Sequence, residues 1–197
     1  MTRLNVVVEG QTEETFVRDL LAPELATHQI IAAAHAVTTS RKKGKLYRGG
    51  LLKYAKLRRD LDLWMKQDRK PDARFSTMLD LYAIPNDFPG FEGSRSIGDP
   101  IARARFLEDR LFEDLGDPRF VPYLQVHEFE ALLFSDPSTF IVAFPDAHLA
   151  VEQLVAIATA VSNPELIDDG PETAPGKRIC SLLPKFAKPV TDQSSPP

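Results

Sequence analysis

The sequence predicts an α/β fold in which helices flank a parallel sheet of about four strands, followed by a helical C-terminal part. Short apolar runs alternate with longer segments whose apolar residues recur at helical spacing. Their order is strand, helix, strand, helix, strand, helix, strand, helices, which is typical of parallel strands joined by helical crossovers. Because neither a repeat nor a linker is visible, we expect a single domain over residues 1–186 and a flexible tail at 187–197.

The individual elements follow from local signals. Strands are predicted at 6–8, 30–37, 75–82 and 120–126, and helices at 11–23, 51–67, 99–115, 147–161 and 177–183. The first helix is expected to end near Pro23, whereas Asp99 and Pro100 form a typical helix start. Pro122 indicates that the fourth strand lies at an edge of the sheet or that the strand starts at this residue. The polar segment 38–50 is predicted to be a loop.

Composition excludes several classes of protein. The chain has 197 residues, 43% of them hydrophobic, so it can build a core, but no apolar run approaches the ~20 residues that cross a bilayer. The amino terminus leads directly into the first predicted strand, which argues against a signal peptide. Cys180 is the single cysteine, so an internal disulfide and a cysteine-based zinc cluster are excluded. We therefore expect a soluble, cytoplasmic protein without membrane partners.

Acidic residues follow the predicted strands at the edge where sites form in parallel sheets. Glu9 closes the first strand, Asp80 lies near the end of the third, and Glu128, with His127, closes the fourth. Glu13 lies one helical turn beyond Glu9, and Asp87 lies in the loop that leaves the third strand. We expect these acids to converge on one rim. Such a cluster requires protonation or a cation because like carboxylates repel, and oxygen ligands favour Mg²⁺ or Mn²⁺.

Acids in a first helical turn also occur simply as helix caps, and this alternative stays open, above all for Glu14. Glu9 is harder to explain in that way, because it ends a buried strand where an unpartnered charge is costly.

A basic segment complements the acids. The formal net charge is −4, yet residues 41–59 contain nine Lys or Arg residues and no acid. Basic side chains can track a phosphate backbone, and carboxylate-held metal ions can assist phosphodiester cleavage. The alternative is a solvated loop and helix face. The candidate nucleic-acid-binding residues are Arg41, Lys42, Lys43, Lys45 and Arg48.

Four segments resemble the motifs of a bacterial domain-of-unknown-function family that is regarded as a divergent member of the Toprim superfamily. They are Glu-Gly-Gln-Thr-Glu-Glu at 9–14, Asp-Phe-Pro-Gly at 87–90, His-Glu-Phe-Glu-Ala-Leu-Leu-Phe at 127–134 and Asp-Gly-Pro-Glu-Thr-Ala-Pro at 169–175. The resemblance implies a Toprim-like fold with a metal-binding acidic rim, related to the nucleases of overcoming-lysogenization-defect (OLD) type.

The resemblance also implies roles for particular residues. Glu9 matches the Toprim glutamate, Glu13 the second glutamate of the OLD-type Glu-x-x-x-Glu pattern, and Asp80 the first acid of the Toprim Asp-x-Asp. The second acid of that pattern is replaced by Tyr82, so Asp87 or Glu128 would have to supply its contact. Lys177 matches the late lysine that supports the transition state in such nucleases.

Two functions follow as expectations. The first is a Mg²⁺- or Mn²⁺-dependent nuclease that acts on DNA or RNA, with an ABC-type ATPase as partner, in phage defence. The second is a non-catalytic Toprim-like module that regulates or docks onto such an ATPase. The presence of Tyr82 favours the second, whereas Glu9, Glu13 and Asp80 favour the first.

Overall fold

A computed structural model describes residues 1–42, 45–48, 53–167 and 173–186, with the backbone alone for 38–42 and 45–48. The chain divides into two compact units, Met1–Gln125 and Val126–Pro197. The expected tail, 187–197, lies outside the described residues. A single domain over 1–186 remains a prediction.

The first unit is built on a parallel sheet. The strands of this sheet are β1 (Thr2–Val8), β2 (Ile30–Ala36), β5 (Ala73–Asp80), β6 (Phe120–Val121) and β7 (Leu124–Gln125). Two further strands, β3 (Thr38–Lys42) and β4 (Lys45–Arg48), form a separate hairpin. β1 lies between β2 and β5, and β5 also pairs with β6 and then β7, always in parallel. The predicted α/β fold with a parallel sheet is confirmed.

The strand boundaries reflect burial and backbone chemistry. Val6, Val7 and Val8 are buried at the centre of the sheet, as expected for a parallel strand covered on both faces. The third predicted strand ends earlier than expected, at Asp80, because the chain then turns into a short 3₁₀ segment, Leu81–Ala83. The fourth is interrupted between β6 and β7, where Pro122 cannot donate a backbone hydrogen bond, and it lies at the sheet edge as predicted.

The helices of the first unit are α1 (Gln11–Phe16), α2 (Ala22–Thr27), α3 (Tyr54–Gln67), α4 (Phe91–Ser94) and α5 (Pro100–Leu115). The predicted helix end near Pro23 is wrong. A π-helical turn, Val17–Leu21, joins α1 to α2, and Pro23 occupies the first turn of α2, where a missing N–H is tolerated. The start of α5 is confirmed, since the Asp99 side chain accepts a hydrogen bond from the Ala102 amide at 2.7 Å.

The prediction of a loop over 38–50 is also wrong for its described part. β3 and β4 form an antiparallel hairpin with Lys42 paired to Lys45, while residues 43–44 and 49–52 lie outside the described residues. The polar composition indicated a loop. Strand pairing, however, uses the backbone N–H and C=O groups, and every residue except proline has both.

The order of the strands creates a topological switch. The chain steps from β1 to β2, then crosses back over β1 to β5 and continues to β6. Right-handed crossovers therefore place α1 and α2 on one face of the sheet, and α3 and α5 on the other. In agreement, the Arg58 guanidinium of α3 donates to the Asp114 carbonyl oxygen of α5 at 2.8 Å. The switch lies between β1 and β5, where sites form in such sheets.

α3 runs from the carboxyl edge of the sheet to its amino edge. Its first amide, that of Tyr54, donates to Asp87 in the loop that leaves β5. Just beyond the C-terminal end of α3, Asp68 forms an ion pair with Arg3, the second residue of β1, with an N–O distance of 2.7 Å. The start of α3 and the ends of β1 and β5 therefore share one rim.

The second unit is helical, as predicted for the C-terminal part. Its helices are α6 (Phe140–Ala143), α7 (His148–Thr159) and α8 (Pro175–Leu182), with 3₁₀ segments at Phe129–Ser135, Pro137–Thr139 and Pro164–Leu166. Its buried cluster consists of Phe134, Leu154, Ile167, Ile179 and Leu183. Within the described ranges of both units, no helix combines the length and apolar character that crossing a bilayer requires.

Candidate functional site

Glu9 and Asp80 occupy the ends of neighbouring parallel strands. Glu9 follows the last residue of β1, and Asp80 is the last residue of β5. The register pairs Val8 with Met78, so Glu9 follows opposite Leu79, and Asp80 lies one residue further along a strand about 4.8 Å away. Both side chains are half-buried. The structure thus brings these two predicted site residues to the topological switch.

Glu13 supports the turn that follows Glu9. Its Oε2 accepts a hydrogen bond from the Gly10 amide at 3.0 Å, and Gly10 is the N-cap residue of α1. The capping role that the sequence left open for acids in this turn is therefore observed at Glu13. One such bond uses only one of about four acceptor positions of a carboxylate, so Glu13 retains capacity for another ligand.

The side chain of Asp87 forms a hydrogen bond to the start of α3. Its Oδ1 accepts a hydrogen bond from the Tyr54 amide at 2.9 Å, and the residue is exposed. Tyr82 is 58% exposed in the 3₁₀ segment after β5.

The second unit holds the remaining two candidates. The Oε2 atom of Glu128 accepts a hydrogen bond from the Gly176 amide at 2.9 Å, in the first turn of α8. Lys177, the next residue of that helix, is exposed, and His127 is buried. The first part of the fourth motif, 169–172, lies outside the described residues.

The basic candidates lie mainly on the hairpin. Arg41 and Lys42 belong to β3, and Lys45 and Arg48 to β4, with only their backbone described. Lys43 lies outside the described residues. The basic segment continues to the N-cap residue of α3, Lys53, and to Arg59 within the helix, and both side chains are exposed.

A family model described as a domain of unknown function matches residues 8–194. The chain belongs to the DUF4276 family. The predicted membership of a domain-of-unknown-function family is thereby confirmed. Searches of curated proteins and of solved structures found no match. In this DUF4276 chain, the matched range includes Glu9 and Asp80 as well as residues 126–194 of the second unit.

Sequence reasoning missed a polar cluster between α3 and α5 of the DUF4276 fold. The Tyr54 hydroxyl donates to Asp114 Oδ2 at 2.5 Å, and Arg58 contacts the same carboxylate. Burial, followed by the hydrogen bond to Asp114, raises the pKa of Tyr54 well above its usual value. The only sequence signal was that Tyr54 and Arg58 are four apart and so share a helix face.

The donor atoms of these acids fit one mode of metal binding and not another. Among the described residues, no group of three or more His, Cys, Asp or Glu side chains is arranged to hold a metal ion. Mg²⁺, however, is commonly held by one or two carboxylates, with water and substrate phosphate completing its shell. Glu9 and Asp80 supply two carboxylates at adjoining strand ends, which fits that mode of binding.

Proposed function

We propose that this DUF4276 protein is a Toprim-like nuclease that depends on Mg²⁺ or Mn²⁺ and hydrolyses phosphodiester bonds in DNA or RNA. The observation that carries the proposal is the placement of Glu9 and Asp80 at the ends of adjacent parallel strands. In this type of sheet, ligands bind outside the carboxyl ends of strands at the point where the connections change direction.

Glu9 and Asp80 would hold the cation, and Glu13 would orient the backbone immediately after Glu9 through its bond to Gly10. When bound, the metal supplies charge stabilisation at the phosphate and activates water. The half-burial of both acids strengthens their interaction with a cation relative to fully exposed carboxylates.

The basic segment would bind the substrate. Because α3 begins at the rim that carries Glu9 and Asp80, exposed Lys53 stands on the edge where the reaction would occur. Lys and Arg bind the phosphate backbone without reading its sequence, which fits a nuclease of low sequence preference. On the motif resemblance alone, Lys177 is proposed as the late lysine that supports the transition state.

The resemblance of the motifs to those of OLD-type nucleases extends the proposal to an ABC-type ATPase partner and to phage defence. This part rests on the motif resemblance alone and is tested separately, by co-purification of the tagged DUF4276 protein with an ATPase of that class.

The nuclease activity is tested with purified full-length protein on plasmid DNA, linear DNA and RNA, each with Mg²⁺, Mn²⁺ or EDTA. We expect metal-dependent cleavage that falls at least about 100-fold in Glu9→Gln and Asp80→Asn, since even the outer partners of metal ligands contribute 10–100-fold. Glu24→Gln is a matched control, because Glu24 is exposed on α2. Cleavage that persists in both site variants would contradict the proposal.

The second candidate function, a non-catalytic module that docks onto an ATPase, is favoured by two observations. Tyr82 is exposed where a second acid would complete the Toprim pattern. In addition, Glu13, Asp87 and Glu128 each bond to a backbone amide at a helix start. Under this alternative, no substrate is cleaved with either metal, and Glu9→Gln binds the ATPase as tightly as the wild-type chain does.

A further inference from the structure

We propose that Asp87 is a positioning residue whose carboxylate fixes the start of α3 at the rim formed by the ends of β1 and β5. The bond would set where the basic residues at the start of α3, Lys53 and Arg59, stand relative to Glu9 and Asp80. This inference rests on the proposed function and deepens it, since it concerns how the nucleic acid is presented to the acids.

The first observation is the bond itself. The Tyr54 amide at the start of α3 donates to Asp87 Oδ1 at 2.9 Å. The N-cap residue, Lys53, has extended backbone and makes no side-chain cap, because an ammonium group cannot accept a hydrogen bond. Asp87 therefore supplies, from a distant segment, the acceptor that a helix start requires, and its negative charge suits the positive end of the helix dipole.

The second observation is that the loop carrying Asp87 is held on both sides. Phe88 is 3% exposed, and its ring meets the Tyr54 ring edge-on with centroids 5.4 Å apart. Its amide donates to the Pro85 carbonyl oxygen at 3.0 Å, which closes a turn. Gly90 has φ +77°, and a Cβ there would overlap the Cγ of Arg110 on α5. The loop is packed too closely for Asp87 to shift without disturbing α3.

The third observation is that the side-chain hydroxyl of Tyr54 is also hydrogen-bonded. Its hydroxyl donates to Asp114 on α5 at 2.5 Å, and Arg58, one turn further along α3, donates to the Asp114 carbonyl oxygen at 2.8 Å. The start of α3 is thus fixed through its amide, its ring and its hydroxyl.

The consequence concerns the basic segment. Exposed Lys53 immediately precedes Tyr54, and residues 41–59 carry basic side chains without any acid. The loop with Asp87 comes from β5, the strand that ends in Asp80. A bond between this loop and α3 therefore ties Lys53 and Arg59, the exposed basic residues at the start of α3, to the strand that carries a proposed metal ligand. Asp87 would act through α3 and not as a metal ligand.

The test compares Asp87→Asn with Asp87→Ala in the full chain. Asn retains a side-chain oxygen and caps helices as well as Asp does, but it lacks the charge that favours a cation. Binding of a fluorescein-labelled single-stranded oligonucleotide is measured by anisotropy in EDTA, and Mn²⁺ affinity is measured by calorimetry. We expect Asp87→Ala to weaken oligonucleotide binding about fivefold, Asp87→Asn to stay within about twofold, and Mn²⁺ affinity to be unchanged in both.

Asp99→Ala provides a matched control. Asp99 caps α5 through the Ala102 amide at 2.7 Å, so its loss removes the same kind of bond from the same unit without touching α3. Oligonucleotide binding is expected to be unaffected. The proposal is overturned if Asp99→Ala weakens binding as much as Asp87→Ala does, or if Asp87→Asn loses both binding and Mn²⁺ affinity.

Hydrogen exchange separates failure of this inference from failure of the proposed function. If the wild-type chain binds no oligonucleotide, the basic segment does not bind nucleic acid and the proposed function loses that support. The positioning role is then decided by the amides at the start of α3. Faster exchange there in Asp87→Ala, but not in Asp87→Asn or Asp99→Ala, supports it, and unchanged exchange overturns it.

Discussion

The side-chain hydroxyl of Thr77 hydrogen-bonds both backbone groups of Tyr123, donating to the carbonyl oxygen at 2.9 Å and accepting from the amide at 3.1 Å. Thr77 is 1% exposed on β5, and Tyr123 lies at the break between β6 and β7. The hydroxyl thus replaces the strand pairing that Pro122 interrupts, and it keeps the edge strand attached to the strand that ends in Asp80.

We expect Thr77→Val to lower the free energy of unfolding by about 1–3 kcal/mol, because a nearly isosteric methyl group leaves two buried backbone groups without their bonds. Urea denaturation measures the change. Thr159→Val is the control, since its exposed hydroxyl bonds only to carbonyl oxygens of its own helix, and we expect a change within about 0.5 kcal/mol. Equal effects of the two substitutions would show that the bridge does not stabilise the sheet.

Gly90→Ala is expected to destabilise the first unit by about 2–4 kcal/mol. The backbone at φ +77° disfavours any L side chain, and the new Cβ would overlap the Arg110 side chain. Gly98→Ala is the comparison, because a Cβ at that position has no atom within 4 Å. Denaturant midpoints that are the same for both variants would contradict the packing described for this loop.

His35 should titrate below its ordinary range. Burial lowers its pKa, with Glu14 acting in the opposite direction, and its ring lies 4.3 Å from that of Trp64, the single tryptophan. Since the unfolded chain then binds the proton more readily, stability contributed by neutral His35 is present above about pH 6.5 and is lost as the pH falls below that value.

Trp64 fluorescence reports this titration directly. We expect Trp64 fluorescence to be quenched on acidification, with a midpoint below about pH 6.5. The quenching should be absent in His35→Gln. A midpoint above pH 6.5, or the same titration curve in His35→Gln, would show that burial does not lower the pKa of His35.

Glu128→Ala is expected to lower the stability of the second unit by about 0.5–2 kcal/mol, the usual loss for a helix cap, because the Gly176 amide loses its acceptor. Glu128→Gln keeps an acceptor oxygen and should lose less. Glu152→Ala, at an exposed position of α7, is the control. Thermal unfolding distinguishes these results, and a smaller loss in Glu128→Ala than in Glu152→Ala would contradict the capping role.

Much of the fold could be predicted because its signals are local. The start of α5 at Asp99 and Pro100 is encoded in two adjacent residues, and the buried valines before Glu9 indicate a central strand. The placement of Glu9 and Asp80 at the ends of two neighbouring strands could also be predicted, because the carboxyl ends of parallel strands meet at one edge of the sheet. By contrast, the π-helical turn before Pro23 has no distinct residue pattern, and the hairpin depends on backbone pairing within a polar segment.

The contacts of Asp87 and Glu128 could not be predicted from the sequence. Their partners, Tyr54 and Gly176, are 33 and 48 residues away along the chain, so both bonds depend on the tertiary arrangement within each unit. A carboxylate serves equally well as a metal ligand and as a helix cap, and residue type alone does not distinguish these roles.

A crystal of the full chain soaked in Mn²⁺, examined by anomalous diffraction, tests the central claim most directly. The account predicts a peak coordinated by carboxylate oxygens of both Glu9 and Asp80, with Asp87 still bonded to the Tyr54 amide. Peaks at Asp87 or Glu128, with none between Glu9 and Asp80, would contradict it.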